Sequence, residues 1–322
     1  MRRLVAITMC IVGAGAAHAQ TANPYPTRPV RIVVPFAAGG GVDYVARILA
    51  QRLTEGMKQT FFVENRASAS GTIGVEYVAK AAPDGYTLLL GSQTTQAVVP
   101  AIYRGKVPYD AVRDFAPVTV VAVSPLLLAV HPSVPAKSVA ELIAVAKAHP
   151  GDLTFGAAFG GSPQMAGELF KLMAGVNLRF IPYKGEGPAL ADVMGGQISM
   201  LFGNIPVVLP QVQSKRLRGL AVTSAQRMAS AADIPTIAES GLPGYDTATW
   251  FGLLAPAATP REIITKLQSE AARTLNVPEV KERMLTQGLS VVANTPEAFA
   301  ALVQQEIPRW KKVVEAAGLK PE

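Results

Sequence analysis

Short apolar runs alternate with stretches whose apolar residues recur every three or four positions, and this alternation appears in two successive blocks. Residues 30–36 read as a buried strand, and 43–53 as a helix carrying Val45, Ile48, Leu49 and Leu53 on one stripe. Residues 60–64 predict a second short strand, 73–81 a helix stopped by Pro83-Asp84-Gly85, and 87–91 a third strand. The second block starts with a helix over 138–147, its Val139, Leu142, Ile143 and Ala146 on one side. A strand at 153–156 and a helix at 164–173 follow, then strands at 180–183, 198–202 and 217–223 with a helix at 188–194. Short apolar strands separated by helices point to an α/β fold, its mostly parallel sheets covered on both faces.

Two apolar stretches fit neither block. Residues 118–130 are interrupted by Ser124-Pro125, where the chain would pass between domains; 249–255, bounded by Pro256 and Pro260, would bring it back. Beyond lie an amphipathic helix at 261–275 and a final helix from Pro296 through Ile307, with a periodic continuation past Pro308 expected to kink there. The expected division is a first domain of 20–123 plus 249–322 and a second of 124–248. Two crossings with a cleft between two α/β lobes suit a protein that clamps a solute by hinge closure.

The first residues are excluded from the folding argument. Arg2 and Arg3 precede a largely apolar run, and Ala17-His18-Ala19 supplies a small-x-small cleavage pattern, so 1–19 reads as a signal peptide and Gln20 as the first mature residue. The run is too short to cross a bilayer. Export, with the periplasm as destination, is the expectation. The one cysteine, Cys10, falls inside this leader, which leaves the mature chain without disulfide or thiol chemistry.

Charge adds little. Of 30 basic and 23 acidic residues, two arginines leave with the leader, so 28 basic residues face 23 acidic ones, a formal +5. Lys311-Lys312 and Arg216-x-Arg218 are short, isolated clusters, and sparse aromatics are not interleaved with them, which argues against nucleic acid.

Four glycine- and hydroxyl-rich loops follow predicted strands, where open parallel sheets place ligands. In the first, Pro35-Phe36-Ala37-Ala38-Gly39-Gly40-Gly41-Val42-Asp43, a tight turn leads into a helix starting near Val42 or Asp43. Backbone N–H groups and the positive helix end can hold an anion there without a cation. Such a turn also simply joins strand to helix, and the motif alone does not decide. Asp43 either caps its helix or meets a ligand's donor group. The Gly-x-Gly-x-x-Gly fingerprint of dinucleotide sites is not matched. Gly91-Ser92-Gln93-Thr94-Thr95 offers three hydroxyls. Residues 156–164 include Phe159-Gly160-Gly161-Ser162, where Ser162 is either an N-cap or a cap that also donates to a bound carboxylate. In Tyr183-Lys184-Gly185 the lysine either neutralises an anion or is solvated.

Catalytic readings fare poorly. His131 and His149 are the only mature histidines, each beside a proline, and no His-x-x-His or His-Glu-x-x-His spacing occurs. No metal or cofactor is expected. Gly161-Ser162 superficially resembles a nucleophile elbow with Glu168 as an acid partner, but Gly-x-Ser-x-Gly is absent.

Residues 35–43 resemble the Pro-Phe-x-x-Gly-Gly-x-x-Asp signature of the Bug family, the TctC-like periplasmic solute receptors of tripartite tricarboxylate transport systems. The similarity extends through Glu64-Asn-Arg66, Pro83-Asp-Gly-Tyr-Thr-Leu88, 155–162, Pro182-Tyr-Lys-Gly185, Leu217-Arg-Gly-Leu-Ala-Val-Thr223 and Trp250-Phe-Gly-Leu-Leu-Ala-Pro256. The resemblance implies a two-domain type II periplasmic-binding-protein-like fold with a ligand cleft between the lobes. It implies a monomer that binds a small organic carboxylate and presents it to membrane transporter subunits, or alternatively reports it to a sensor kinase. One carboxylate would sit between Phe36, Ala38, Gly39, Gly40 and Asp43 on one side and Phe159, Gly160, Gly161 and Ser162 on the other. Ser92, Thr94, Tyr183 and the stretch 202–206 with Asn204 would select the rest. Many relatives carry an aspartate where this chain has Gly203; its loss implies a wider pocket and a carboxylate ligand without a positive group.

Overall fold

A computed structural model describes residues 25–68, 70–104 and 106–320. The proposed leader, with Cys10 and the cleavage pattern, lies outside them. In the first block β1 (Val30–Val34), α1 (Gly41–Met57), β2 (Phe61–Asn65), α2 (Thr72–Ala79) and β3 (Thr87–Ser92) follow one another. A single π-helical turn, Thr94–Val98, and α3 (Val99–Ile102) lead to the long β4 (Phe115–Val130). The second block contains α4 (Val139–Ala148), β5 (Thr154–Ala158), α5 (Ser162–Ala174), β6 (Arg179–Tyr183), α6 (Glu186–Met194), β7 (Met200–Asn204), α7 (Ile205–Gln213) and β8 (Arg218–Val222). The chain closes with β9 (Ala248–Pro256), α8 (Arg261–Leu275), α9 (Pro278–Thr286), β10 (Ser290–Val291) and α10 (Pro296–Ala316).

The strands run in the order β2-β1-β3-β9-β4-β7-β5-β6, with β10 and β8 also paired to β4. β1 pairs parallel with β2 and β3, and β5 parallel with β6 and β7, as crossovers through the intervening helices allow. β4 joins the two halves. Its first part pairs antiparallel with β9, down to Ser124↔Thr249 and Pro125↔Ala248, and its last five residues pair with β7. The expected break at Ser124-Pro125 is a continuous strand instead, and Pro125 stands where β4 leaves β9 for β7.

Each half buries apolar side chains on both faces of its strands. In the first lobe Ile32 and Leu90 pack with α1 and α8 through Leu49, Leu53 and Leu267. Val33 and Leu89 face the opposite way, onto Val75, Phe299 and Val303. This alternation is the period-two signature of a doubly covered strand. In the second lobe Phe155, Phe170 and Phe202 fill one face, and Leu127, Leu201 and Ile205 the other. The predicted periodicities located most helices, and α8 has the expected bounds. The final helix continues past Pro308 as its periodicity predicted: α10 runs to Ala316, with Trp310 and Val314 buried against Val98, Ile102, Phe159 and Met165. α10 therefore touches both lobes. Among the described residues no helix is long and apolar enough to cross a membrane.

Candidate functional site

The strands of both lobes end at a common cavity. Phe36, Ala37 and 40–43 line it from the β1–α1 turn, Ser92 and Thr94 from the end of β3, and Thr249 and Phe251 from β9. From the second lobe come 156–158, Gly161 and Pro163, then Gly185, Glu186, Leu201, Phe202 and Asn204. The lobes are closed over it, leaving about 40 Å³. A water takes about 10–15 Å³ in this measure, so the space holds roughly three.

Closure relies on glycine. The Ala37 N–H donates to Lys184 O across the cleft at 3.1 Å. A Cβ on Gly187 would lie 2.3 Å from Ala38 O, and one on Gly41 would lie 2.4 Å from Asn204 Cγ. Only hydrogen at Gly187 lets the two backbones approach, and hydrogen at Gly41 makes room for the Asn204 side chain. On the other side Ser162 makes the contact. Its N–H donates to Thr94 Oγ1 at 3.0 Å, and its hydroxyl donates to Gln93 Oε1 at 2.9 Å and lies 3.1 Å from Thr249 Oγ1.

Asp43 is engaged within its own lobe. Its carboxylate accepts from the Gly39 N–H at 3.1 Å, from Arg47 at 2.9 and 3.0 Å, and from Asn65 Nδ2 at 3.0 Å. Asn65 also donates to Phe36 O. The carboxylate thus pins the glycine turn, in which Gly39 has φ +84°, a left-handed conformation that favours glycine. Burial alone would raise its pKa, but the Arg47, Gly39 and Asn65 hydrogen bonds outweigh that and hold it below the ordinary carboxylate value. Asp43 is not an N-cap: α1 starts at Gly41, with Gly40 as its cap.

Ser162 is not an N-cap either. Gly161 holds that position, and the serine hydroxyl is committed to the first lobe. Gly160 N–H donates to Gln164 Oε1 and Gly161 N–H to Ala158 O, so both glycine donors of this loop are used within the protein. Among the predicted residues, Phe36, Gly40, Asp43, Ser92, Thr94, Gly161 and Asn204 line the cavity. Ala38, Gly39, Phe159, Gly160, Ser162 and Tyr183 do not line it. Phe159 packs with Tyr103 and Phe180, and the Tyr183 hydroxyl donates to Asp192 at 2.6 Å. Lys184 is exposed, and Glu168 pairs with Lys171.

Sequence reasoning missed Glu186. Its carboxylate accepts from Gly41 N–H at 2.8 Å, from Asn204 Nδ2 at 2.7 Å and from Asn204 N–H. It spans the cleft from the start of α6 to the start of α1. Burial of the carboxyl raises its pKa by more than the Asn204 and Gly41 hydrogen bonds lower it. A Cβ on Gly203 would lie 2.8 Å from Glu186 Oε1. The expectation of a wider pocket lacking an acid at this place is therefore corrected: α6 supplies the acid from another element. An acid between two glycines at a helix start was the visible signal, but its reach to Gly41 is a tertiary fact.

The family model for the tripartite tricarboxylate transporter family receptor matches residues 45–319. The chain belongs to this family. It is 38% identical to BugT of Bordetella pertussis (strain Tohama I), the match covering 99% of this chain and 98% of that one. The solved structure of Rpa4515 from R. palustris with adipate has a TM-score of 0.90 at 40% identity, over 92% of this chain and all of the other (100%). MatC from Rhodopseudomonas palustris with bound malate gives 0.85 at 33% identity, over 90% and 100% of the two chains. The receptor family and its solved neighbours are periplasmic binding proteins of two α/β lobes, not enzymes. The receptor fold also accounts for Ser162, whose hydroxyl neighbours are Gln93, Thr94 and Thr249, none of them a general base.

Proposed function

We propose that this protein is a periplasmic receptor that captures a small organic carboxylate and delivers it to a tripartite tricarboxylate-type membrane transporter. The observation that carries the reading is the convergence of four helix N-termini, those of α1, α5, α6 and α7, on one closed cavity between the lobes. Each presents a partial positive charge of about +0.5. The N–H groups of Gly40, Val42 and Asp43 have no protein partner among the described residues and are available to an anion. Phe36, Leu201, Phe202 and Phe251 give the carbon skeleton an apolar wall. The adipate and malate bound by the two relatives are carboxylates of the same general class.

The signal-peptide pattern supports the periplasmic address and the family supports the transporter partner. We divide the lobes at the β4 and β9 crossings, near Ser124 and Thr249, and treat the receptor as a monomer. Thermal-shift screening of mono-, di- and tricarboxylates tests the reading. A true ligand at a hundred times its Kd stabilises by about 2.7 kcal/mol. No stabilisation by any carboxylate would refute it. Loss of uptake of that carboxylate in cells lacking the protein tests the transporter partner.

A further inference from the structure

A carboxylate of the protein already sits where a guest's carboxylate would bind. Glu186 accepts from the Gly41 N–H at 2.8 Å, and the N–H groups left for a guest, those of Gly40 and Val42, are the immediate neighbours in the chain. Consecutive residues stand about 3.8 Å apart. The two carboxylates therefore come within the roughly 4–6 Å over which one charge shifts the titration of another. The Ser92 hydroxyl, in a residue 1% exposed, lines the same cavity without a partner and is a further donor for the guest. Among the described residues Asp43 and Glu186 are the charged members of the lining, and Arg47 is committed to Asp43. Farther along α1, Arg52 pairs with Glu55. Of the elements packed against α6, β5 and β7 carry no charged residue, and β6 carries only Arg179, exposed at its opposite end. α7 has none, Lys184 is exposed, and Tyr183 and Asp192 are bonded to each other. Glu186 is thus held by amide donors alone. Burial already raises its pKa, and a guest's negative charge raises it further.

We propose that Glu186 couples carboxylate capture to a proton: when the lobes close, the guest's carboxylate and the Glu186 carboxyl share one proton taken from solvent, so the receptor binds an organic anion together with one proton. This rests on the carboxylate reading above. Before binding, the guest and Glu186 each carry one negative charge. In the complex the shared proton lies between an oxygen of each, and the single charge that remains is spread over the N–H groups of Gly40, Gly41, Val42 and Asn204. Opening of the lobes returns the proton to solvent with the released anion.

The test counts protons. Calorimetric titration of the full mature chain with butyrate, lactate, succinate, adipate and citrate would be run in HEPES and in Tris, whose ionisation enthalpies differ, between about pH 7 and 8.5. The difference in heat between the buffers gives the protons taken up per carboxylate bound. The expected result for each one that binds is an uptake reaching at least half a proton within that range, with affinity falling as pH rises, by up to about tenfold per pH unit where a full proton is taken up. Glu186→Gln and Glu186→Ala, each checked for folding by circular dichroism, are expected to bind with no uptake and little pH dependence. Both variants keep His131 and His149, so uptake that persists in them comes from another group and overturns the proposal. Binding to the wild type without uptake at any pH would also overturn it while leaving carboxylate capture intact; tighter binding by Glu186→Ala in that case would show Glu186 leaving the cradle still ionised. Binding of none of these five and of no other carboxylate would instead refute carboxylate capture itself.

Discussion

At the scale of single residues, two carboxylates at one cavity have opposite environments. Asp43 has a pKa held below its ordinary value, so the stability it contributes is present above the unfolded value and is lost as pH falls through the folded one. Asp43→Asn should therefore destabilise by about 1–3 kcal/mol at neutral pH. That difference should shrink on acidification, as followed by urea unfolding across a pH series. Glu186 has a raised pKa, so the folded protein holds its proton more tightly than the unfolded chain. Wild-type stability relative to Glu186→Gln should thus fall as pH rises above the ordinary carboxylate value. A difference that instead grows with pH would show that the carboxylate gains more from its amide donors than it loses by burial. Asp43 was legible in the sequence as a helix-start acid, whereas its bonds to Arg47, Gly39 and Asn65 were not. Ser162 went the same way: its place at a strand-to-helix turn was readable, and its bond to Gln93 was not.

At the scale of elements, unbroken periodicity carried the reading. α8 has a clear inward stripe of Ile264, Leu267 and Ala271 and was placed by pattern alone. α7 was hidden because Pro206 and Pro210 punctuate it, and α9 because it buries little beyond Val280 and Met284. The π-helical turn at Thr94–Val98 looked like a hydroxyl-rich loop; it is fully buried and held by Tyr109, whose hydroxyl donates to Thr95 O. Such turns recur at functional sites, and this one presents Thr94 to Ser162. The starts of α1 and α6 meet through glycines, which leads to a closure prediction. Gly187→Ala puts a methyl into Ala38 O and should leave each lobe folded by circular dichroism, yet weaken carboxylate affinity at least tenfold. Ser162→Ala removes the hydroxyl contacts to Gln93 and Thr249 and should weaken it less, about fivefold, at about 1 kcal/mol for a hydrogen bond. Equal affinities in all three proteins would mean that neither contact takes part in closure.

At the scale of the whole molecule, a two-lobed α/β receptor was readable from the doubled strand–helix pattern and two apolar crossings. The closed cleft was not, because β4 joins the lobes through pairings with β9 and β7 that are far apart in sequence. Closure also links distant parts: Ser162 bonds Gln93, and Gln93 Nε2 donates to the buried Glu306 of α10 at 2.7 Å. One buried chain of hydrogen bonds thus connects the C-terminal helix to Ser162 of the second lobe. The central claim is that a carboxylate is held at the start of α1 between closed lobes. Calorimetric titration of the strongest carboxylate from the screen into wild type and Gly40→Leu tests it most directly. Gly40 has φ −95°, which other residues tolerate, but a Cβ there already lies 3.1 Å from Glu186 Cβ. One-to-one binding in the wild type and loss of more than a hundredfold in a folded Gly40→Leu is the predicted result; equal affinity in the two proteins would contradict it.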